Sequence, residues 1–107
     1  MIKTEVYEQA LFETIKRGAT EISPDVKDAF VKAIDKETNP DAKNGLEATL
    51  RSMEMSKLRE NPLCVDTGWP IFYFKVGNQC ELEGGFVELE NAARRAVAKA
   101  TELGYLI

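Results

Sequence analysis

The sequence predicts an α+β fold that is mainly helical, with about four helices and one β-hairpin between the third and the fourth. Two observations support this prediction. Four segments place apolar residues three or four positions apart, which is the spacing of one helix face. One short segment, IFYFKV at 71–76, is β-branched and aromatic, as strands are. A chain of 107 residues is long enough to bury one core, so we expect a single domain over 1–107.

The first helix is predicted over 2–17, where apolar side chains recur every four residues. Gly18 follows, and a glycine just past the last turn commonly ends a helix. The apolar stripe consists of Tyr7, Leu11 and Ile15. We expect this stripe to face the core.

The second and third helices are predicted from two similar start signals. Ser23-Pro24-Asp25 offers a hydroxyl cap, a proline suited to the first turn and an acid at the positive end of the helix dipole. Asn39-Pro40-Asp41 repeats this arrangement, and the third helix is expected to reach about Glu60. Each helix has an apolar face that we expect to be core: Val26, Ala29, Phe30, Ala33 and Ile34 in the second, and Ala42, Leu46, Thr49, Leu50 and Met53 in the third.

The hairpin is predicted to follow the third helix. Asn61-Pro62 ends that helix, because the residue before a proline is pushed out of the α region. The strand at 71–76 is expected to turn at 77–79 and to return as CELEG at 80–84. A strand that is apolar on both faces must be covered on both, so we expect self-association or docking onto further polypeptide.

The last helix is predicted from about Phe86 to Leu103, after the break at Gly84-Gly85, with Gly104 as its C-cap. Its apolar face consists of Leu89, Ala92, Ala93, Ala96, Val97, Ala100 and Leu103. The many small residues indicate close helix packing. Arg94-Arg95 on this helix is expected to be solvated or salt-bridged.

The charge and composition exclude several classes of function. The formal net charge is -4, with lysine and arginine scattered among acids, so neither a nucleic acid nor an anionic membrane is expected as a partner. No apolar run could span a bilayer and the first residues lack the apolar stretch of a signal peptide, so the cytoplasm is the expected location. The absence of histidine excludes His-based triads and imidazole ligands from this chain. The two cysteines, Cys64 and Cys80, fit no zinc spacing, and no disulfide between them is expected in a reducing compartment.

The segment NPLCVDTGWP at 61–70 places a thiol two residues before a carboxylate. Prolines and a glycine around the pair require a non-helical turn, and in extended backbone Cys64 and Asp66 point the same way. A thiolate beside a carboxylate suits a metal that binds substrate while the carboxylate moves a proton. The alternative is a packing role, with Cys64 as a small buried side chain and Asp66 as the cap of a turn.

The stretch NPLCVDTGWPIFYFKVG at 61–77 resembles the signature of the class I fumarate hydratase and L-tartrate dehydratase family. That signature is a C-Q-D-T-G segment, preceded by Asn-Pro-like residues and followed by a hydrophobic strand ending in K-V-G. The resemblance extends through the preceding helices and through ATELGYL in the last one, and so covers essentially the whole chain. It implies that the chain is the N-terminal part of an alpha-type subunit, with the remainder of the enzyme absent.

The resemblance implies a [4Fe-4S]-dependent hydro-lyase that adds or removes water on a dicarboxylate such as fumarate/malate or tartrate/oxaloacetate. In the family three cysteine thiolates hold the cluster, and Cys64 matches the first of them. Asp66 matches the family's acid/base aspartate, and Thr67 and Gly68 match positions at the substrate. The implied partners are the remainder of the alpha subunit, a beta-type subunit or both, and a homo-oligomer is expected.

Three departures from the family pattern limit what this chain is expected to do alone. Val65 stands where the family has a substrate-contacting glutamine. The arginine that follows the last helix in the family is not found in Tyr105-Leu106-Ile107, either because it is absent or because the sequence ends where the comparison with the family stops. Cys80 lies at no expected ligand position, and two cysteines cannot supply three thiolates. We therefore expect no cluster in the isolated chain and no activity from it.

Two other functions remain open. A non-catalytic interaction module that keeps the fold would account for Val65 and for the missing arginine. Against it, Cys64, Asp66, Thr67 and Gly68 are retained as a set without an evident structural need. A stand-alone thiol protein using Cys64 is the weaker alternative, because the neighbouring carboxylate disfavours a thiolate. Two more cysteines and a basic carboxylate clamp, in the complete polypeptide or in a companion chain, would distinguish the enzyme from the module.

Overall fold

The computed structural model of the protein describes residues 1–107 and contains four α-helices and no β-strand. Helix α1 spans Thr4–Thr20, α2 spans Pro24–Lys36, α3 spans Pro40–Arg59 and α4 spans Gly85–Glu102. The predicted α+β fold is therefore wrong, because neither strand of the expected hairpin forms. The one β-type pairing is an isolated parallel bridge between Ile2 and Leu82.

The segment at 69–76 has no regular structure because this chain supplies no strand to pair with it. No main-chain hydrogen bond joins these residues to any other part of the chain. The stretch expected to return beside them, 80–84, instead holds the bridge at Leu82 and then turns into α4. A strand depends on a neighbour for its ladder hydrogen bonds, and an isolated hairpin is marginal in water. The apolar composition of 71–76 is therefore not sufficient to form a strand in this structure.

The core lies between α1 and α4, which pack along each other. The buried side chains are Tyr7, Leu11, Phe12 and Ile15 from α1 and Leu89, Ala92, Ala93, Ala96 and Ala100 from α4. The small side chains of α4 allow close approach, since the distance between packed helices depends on the residues at the contact. The predicted α1 stripe is confirmed. The predicted end at Gly18 is wrong, because α1 continues to Thr20, whose hydroxyl donates to the carbonyl oxygen of Lys16 at 2.8 Å.

Helices α2 and α3 form an arm that packs on itself, and neither contains a buried residue. The predicted core faces of both helices are therefore wrong as core. Phe30 and Ile34 of α2, and Leu46, Leu50 and Met53 of α3, reach only partial burial. The molecule is correspondingly elongated, 56 × 30 × 21 Å, with a radius of gyration of 17.9 Å. A compact chain of this length would have a radius of about 13 Å.

The two predicted start signals, at α2 and at α3, behave differently. The Asn39 side chain accepts hydrogen bonds from the N–H groups of Asp41 and Ala42, as predicted for the start of α3. Ser23 makes no such capping bond at the start of α2. Its hydroxyl instead hydrogen-bonds to the Asp25 carboxylate. This bond, together with one from the N–H of Val26, holds the pKa of that carboxyl below its usual range.

Candidate functional site

The loop at 61–68 contains the predicted site residues, and its first half is fixed on the carboxyl end of α1. The main-chain N–H of Leu63 donates to the carbonyl oxygen of Ala19 at 2.8 Å. Just before the loop, Glu60 adopts a left-handed conformation (φ 54°) that ends α3. Its carboxylate lies 3.1 Å from the Lys16 ammonium in α1. This hydrogen bond raises the pKa of Lys16 above its ordinary value.

The second half of the loop is fixed on the segment that follows α4. The Thr67 hydroxyl accepts a hydrogen bond from the main-chain N–H of Ile107 at 2.9 Å and lies 3.3 Å from the main-chain oxygen of the same residue. That segment is itself held on the core. The N–H of Tyr105 donates to the carbonyl oxygen of Ala100 at 2.9 Å, and its ring packs edge-on against Phe12 with 6.1 Å between centroids. Both ends of the loop are therefore attached to the α1/α4 core.

Cys64 and Asp66 lie side by side between these two anchors. The main-chain N–H of Asp66 donates to the Cys64 sulfur, with 3.4 Å between nitrogen and Sγ. Both residues are exposed, so the packing alternative is wrong in requiring a buried Cys64. An accessible thiol can become a soft ligand for a metal, and an accessible carboxylate can transfer a proton. The arrangement is open to a ligand or to further polypeptide.

The flanking residues set the shape of the turn. Val65 is 84% exposed and covers nothing in this chain. Gly68 has φ 72°, in the left-handed region that residues with side chains rarely adopt. A Cβ on Gly68 would meet no atom within 4 Å. The glycine is therefore explained by the backbone conformation that follows Thr67 rather than by close packing.

The donor set of this chain does not fit a complete iron–sulfur cluster. Cys64 and Cys80 are both free and exposed. Cys80 lines a separate cavity of about 290 Å³, with Leu11 and Leu82 among its other walls. No three His, Cys, Asp or Glu side chains lie close enough together to hold a metal ion. Because such clusters are held by several thiolates, the loop can supply only part of a ligand set.

Beside the loop lies an exposed apolar surface, the aromatic segment, defined as residues 69–76. Trp69 is 94% and Tyr73 is 91% exposed. The rings of Phe72 and Phe74 stack with 6.1 Å between centroids and 10° between planes. They border an open groove of about 610 Å³ whose walls are Phe72, Phe74, Val76, Phe86, Leu89, Glu90 and Ala93. An exposed apolar patch of this kind is typical of an interaction surface.

The two adjacent arginines of α4 are engaged in ion pairs. Arg95 pairs with Glu8 of α1 and with Glu88 of α4, and the hydrogen bonds to Glu88 and Glu8 raise its pKa above the ordinary value. Arg94 pairs with Glu90 at 2.8 Å. The prediction of a salt-bridged pair is confirmed. Arg95 thus joins the two core helices.

Comparison with known proteins connects these features to one family. The sequence model of the family described as fumarate hydratase (Fumerase) matches residues 8–107. The chain belongs to this family. It is 31% identical over 90 residues to "Putative L(+)-tartrate dehydratase subunit alpha" of Methanocaldococcus jannaschii, an alignment that covers 84% of this chain and 31% of the relative. The chain therefore spans about a third of the length of that relative.

These matches confirm the predicted membership of the class I fumarate hydratase and tartrate dehydratase family, in the N-terminal region of its alpha-type chain. No solved structure is significantly similar to the chain. None of the four helices is both long and apolar enough to cross a membrane.

The sequence did not reveal the two anchors of the loop. The Leu63 anchor is a main-chain contact, and its side chain gives no sign of it. The Thr67 anchor joins residues 40 positions apart, which no local pattern shows. A threonine just before a glycine in a turn was the available signal, because hydroxyl side chains in turns often bond to the main chain.

Proposed function

We propose that this chain is the N-terminal part of a [4Fe-4S]-dependent hydro-lyase that adds or removes water on a dicarboxylate of the fumarate/malate or tartrate/oxaloacetate kind. The main support is the exposed pair of Cys64 and Asp66, in contact on a loop anchored at both ends and within the residues matched by the family. The printed name of the relative, a tartrate dehydratase subunit alpha, favours the same reaction class.

In this proposal Asp66 is the acid/base group. Adding water to a carbon–carbon double bond places a hydroxyl on one carbon and a proton on the other, so a group that moves a proton is required. Asp66 is exposed and its main chain is fixed next to Cys64. Cys64 is assigned as one thiolate ligand of the cluster, with the other ligands supplied from outside this chain. Thr67 and Gly68 complete the turn on the substrate side.

Val65 bears on which substrate is bound and how tightly. A glutamine at this position, as in the family pattern, offers an amide that can hydrogen-bond a carboxylate, and valine offers none. If the substrate group is left without a partner, the loss is about 1–3 kcal/mol of binding. We therefore propose a substrate contact at this position that differs from that of relatives with glutamine.

The proposed partners are the remainder of the alpha chain, a beta-type subunit or both, within a homo-oligomer. The aromatic segment supports this, because its main chain is unpaired and Trp69 and Tyr73 lie almost fully in solvent. The relative's name identifies it as a subunit. We place the protein in the cytoplasm, where free thiols such as Cys64 and Cys80 stay reduced. The isolated chain is proposed to be inactive.

A second candidate function is a non-catalytic interaction module that keeps the fold. The exposed aromatic segment and the apolar Val65 favour it, since both suit contact with a protein better than contact with a dicarboxylate. The two candidates differ in one respect that can be measured. Only the enzyme requires Cys64 and Asp66 for its function.

The deciding experiment isolates the native gene product that contains this chain, from its source and without oxygen. Its intact mass, iron and sulfide are measured on the same sample, and hydration of fumarate and dehydration of L-tartrate are assayed. The proposal expects a mass above 12.0 kDa or a bound companion chain, about four irons per site, and turnover of one substrate. A free chain of 12.0 kDa without iron would support the interaction module instead.

Matched variants of the active gene product test the two assigned residues. Cys64→Ser is expected to lose iron and activity, whereas Cys80→Ser, at the other exposed free cysteine, should keep both. Asp66→Asn should keep iron and lose about 10²- to 10⁴-fold in kcat, the usual effect of removing an acid/base group. Equal behaviour of the two serine variants would contradict the role of Cys64.

A further inference from the structure

We infer that Thr67 is a positioning residue whose hydroxyl sets the Cys64–Asp66 loop against the core, rather than a group that binds substrate. The inference deepens the proposed function and rests on it for the catalytic consequence. Residues 64–66 make no hydrogen bond or ion pair with any residue outside the loop. Their position therefore depends on the anchors on either side of them.

The two anchors differ in kind. The first joins main chain to main chain, from Leu63 to Ala19. The second is made by the side chain of Thr67 alone, through its contacts with the N–H and the oxygen of Ile107. A single side-chain substitution can remove the second and leave the first in place. The 40-residue separation also means that Thr67 joins the loop to the segment that follows α4.

The chemistry of the hydroxyl favours positioning over substrate binding. A threonine hydroxyl has one donor and two acceptor sites. In this structure it accepts from the Ile107 N–H at 2.9 Å, and its O–H points to the Ile107 oxygen at 3.3 Å. A substrate carboxylate requires donors, and the one donor of Thr67 is already used. The hydroxyl thus holds the segment at 105–107, which in turn is bonded to α4 and packed on Phe12.

Hydrogen exchange on the 107-residue chain tests the anchor without any assay of activity. Thr67→Val keeps the side-chain shape and removes the hydroxyl. It should speed exchange of the Ile107 amide by about 2- to 13-fold, the factor of one net hydrogen bond. It should also lower the ¹⁵N heteronuclear NOE of residues 64–66. Thr67→Ser should restore both values.

The matched control is Thr49→Val, which removes another exposed threonine hydroxyl that bonds to main chain, here to Gly45 within α3. It should leave the Ile107 amide and the loop unchanged. The inference is overturned if Thr67→Val leaves Ile107 exchange and loop order as in the parent chain, or if Thr67→Ser behaves like Thr67→Val.

Kinetics of the complete gene product separate positioning from substrate binding. With Asp66 misplaced, Thr67→Val should lower kcat at least tenfold while KM stays within about twofold, and Thr67→Ser should recover kcat. A rise in KM with unchanged kcat would overturn the inference and return Thr67 to the substrate. The two proposals fail separately: altered exchange without any hydro-lyase activity refutes the proposed function alone, and normal exchange with full activity refutes the positioning role alone.

Discussion

Gly84, which immediately precedes α4, is the position where a single methyl group should be least tolerated. Its φ of 76° lies in the left-handed region, and a Cβ there would fall 2.5 Å from Cβ and 2.8 Å from Cγ of Glu88. The left-handed conformation costs a residue with a side chain about 1–2 kcal/mol. Relief of the clash, in which Glu88 must shift from its ion pair with Arg95, adds about 1–3 kcal/mol. Gly84→Ala should therefore lower the free energy of unfolding by about 2–5 kcal/mol.

Two other glycines separate these contributions. Gly104 has φ 85° but nothing within 4 Å of a Cβ, so Gly104→Ala should show the conformational cost alone. Gly45 lies inside α3 with open space around it. Gly45→Ala should raise stability by about 0.5–1 kcal/mol, because alanine is the better helix former.

Urea unfolding followed by circular dichroism at 222 nm measures all three variants against the parent chain. If Gly84→Ala is unfolded without urea, trimethylamine oxide added to every sample brings its transition into range. From most to least stable, the expected order is Gly45→Ala, the parent chain, Gly104→Ala and Gly84→Ala. A Gly84→Ala chain as stable as Gly104→Ala would refute the clash, and one as stable as the parent would refute the backbone conformation as well.

Two further predictions concern the core and the pH dependence of stability. Leu11→Ala should lower the free energy of unfolding in urea by about 2–5 kcal/mol, because Leu11 is buried between α1 and α4. Leu58→Ala, at a leucine that is 84% exposed, should change it by no more than about 0.5 kcal/mol. Equal losses from the two variants would contradict the position of the core. The hydrogen bond from Lys3 holds the pKa of the Glu83 carboxyl below its ordinary value of 4.5. The contribution of this contact to stability is therefore complete above pH 4.5, and it is lost as the pH falls through the lower pKa of the folded state. The urea midpoints of the parent and of Glu83→Gln should accordingly differ at pH 7 and converge toward pH 3, and a constant gap would contradict this assignment.

The helices could be predicted from the sequence because their signals are local. The stripe of Tyr7, Leu11 and Ile15 predicts the core face of α1, and Asn39 marks the start of α3 through its own side chain. The predicted end of α1 is wrong because Gly18 keeps a helical conformation and the main-chain hydrogen bonds continue past it, with the N–H of Glu21 donating to the carbonyl oxygen of Arg17. A glycine permits a helix to end, but it does not require it.

The strand and the arm could not be predicted because their outcome depends on what lies opposite them. The composition of 71–76 favours a strand, but strand formation depends on a partner that this chain does not place beside it. The apolar stripes mark positions of α2 and α3 that become partly buried, such as Phe30 and Leu50, but they do not show that neither helix would add a buried residue to the core.

In the candidate site, too, the local features could be predicted from the sequence and the long-range contacts could not. The proximity of Cys64 and Asp66 follows from their spacing in a turn, and the structure brings them into contact. The anchor from Thr67 to Ile107 depends on the packing of α4 against α1, which places the segment after α4 beside Phe12 and Lys16 of α1. Long-range contacts of this kind are fixed by the whole fold and are invisible to spacing.

The aromatic segment also limits how the free chain can be handled. Ile71 to Val76 is a six-residue window rich in β-formers, with one charge, Lys75, and with Pro70 directly before it. Windows of this type pair edge to edge between molecules, and a flanking proline or lysine slows that pairing without preventing it. Because pairing between copies is second order in chain concentration, its rate rises with the square of that concentration, and Lys75 and Pro70 lower the rate at any given concentration. Polypeptide that covers residues 71–76, as proposed above, would slow this pairing further.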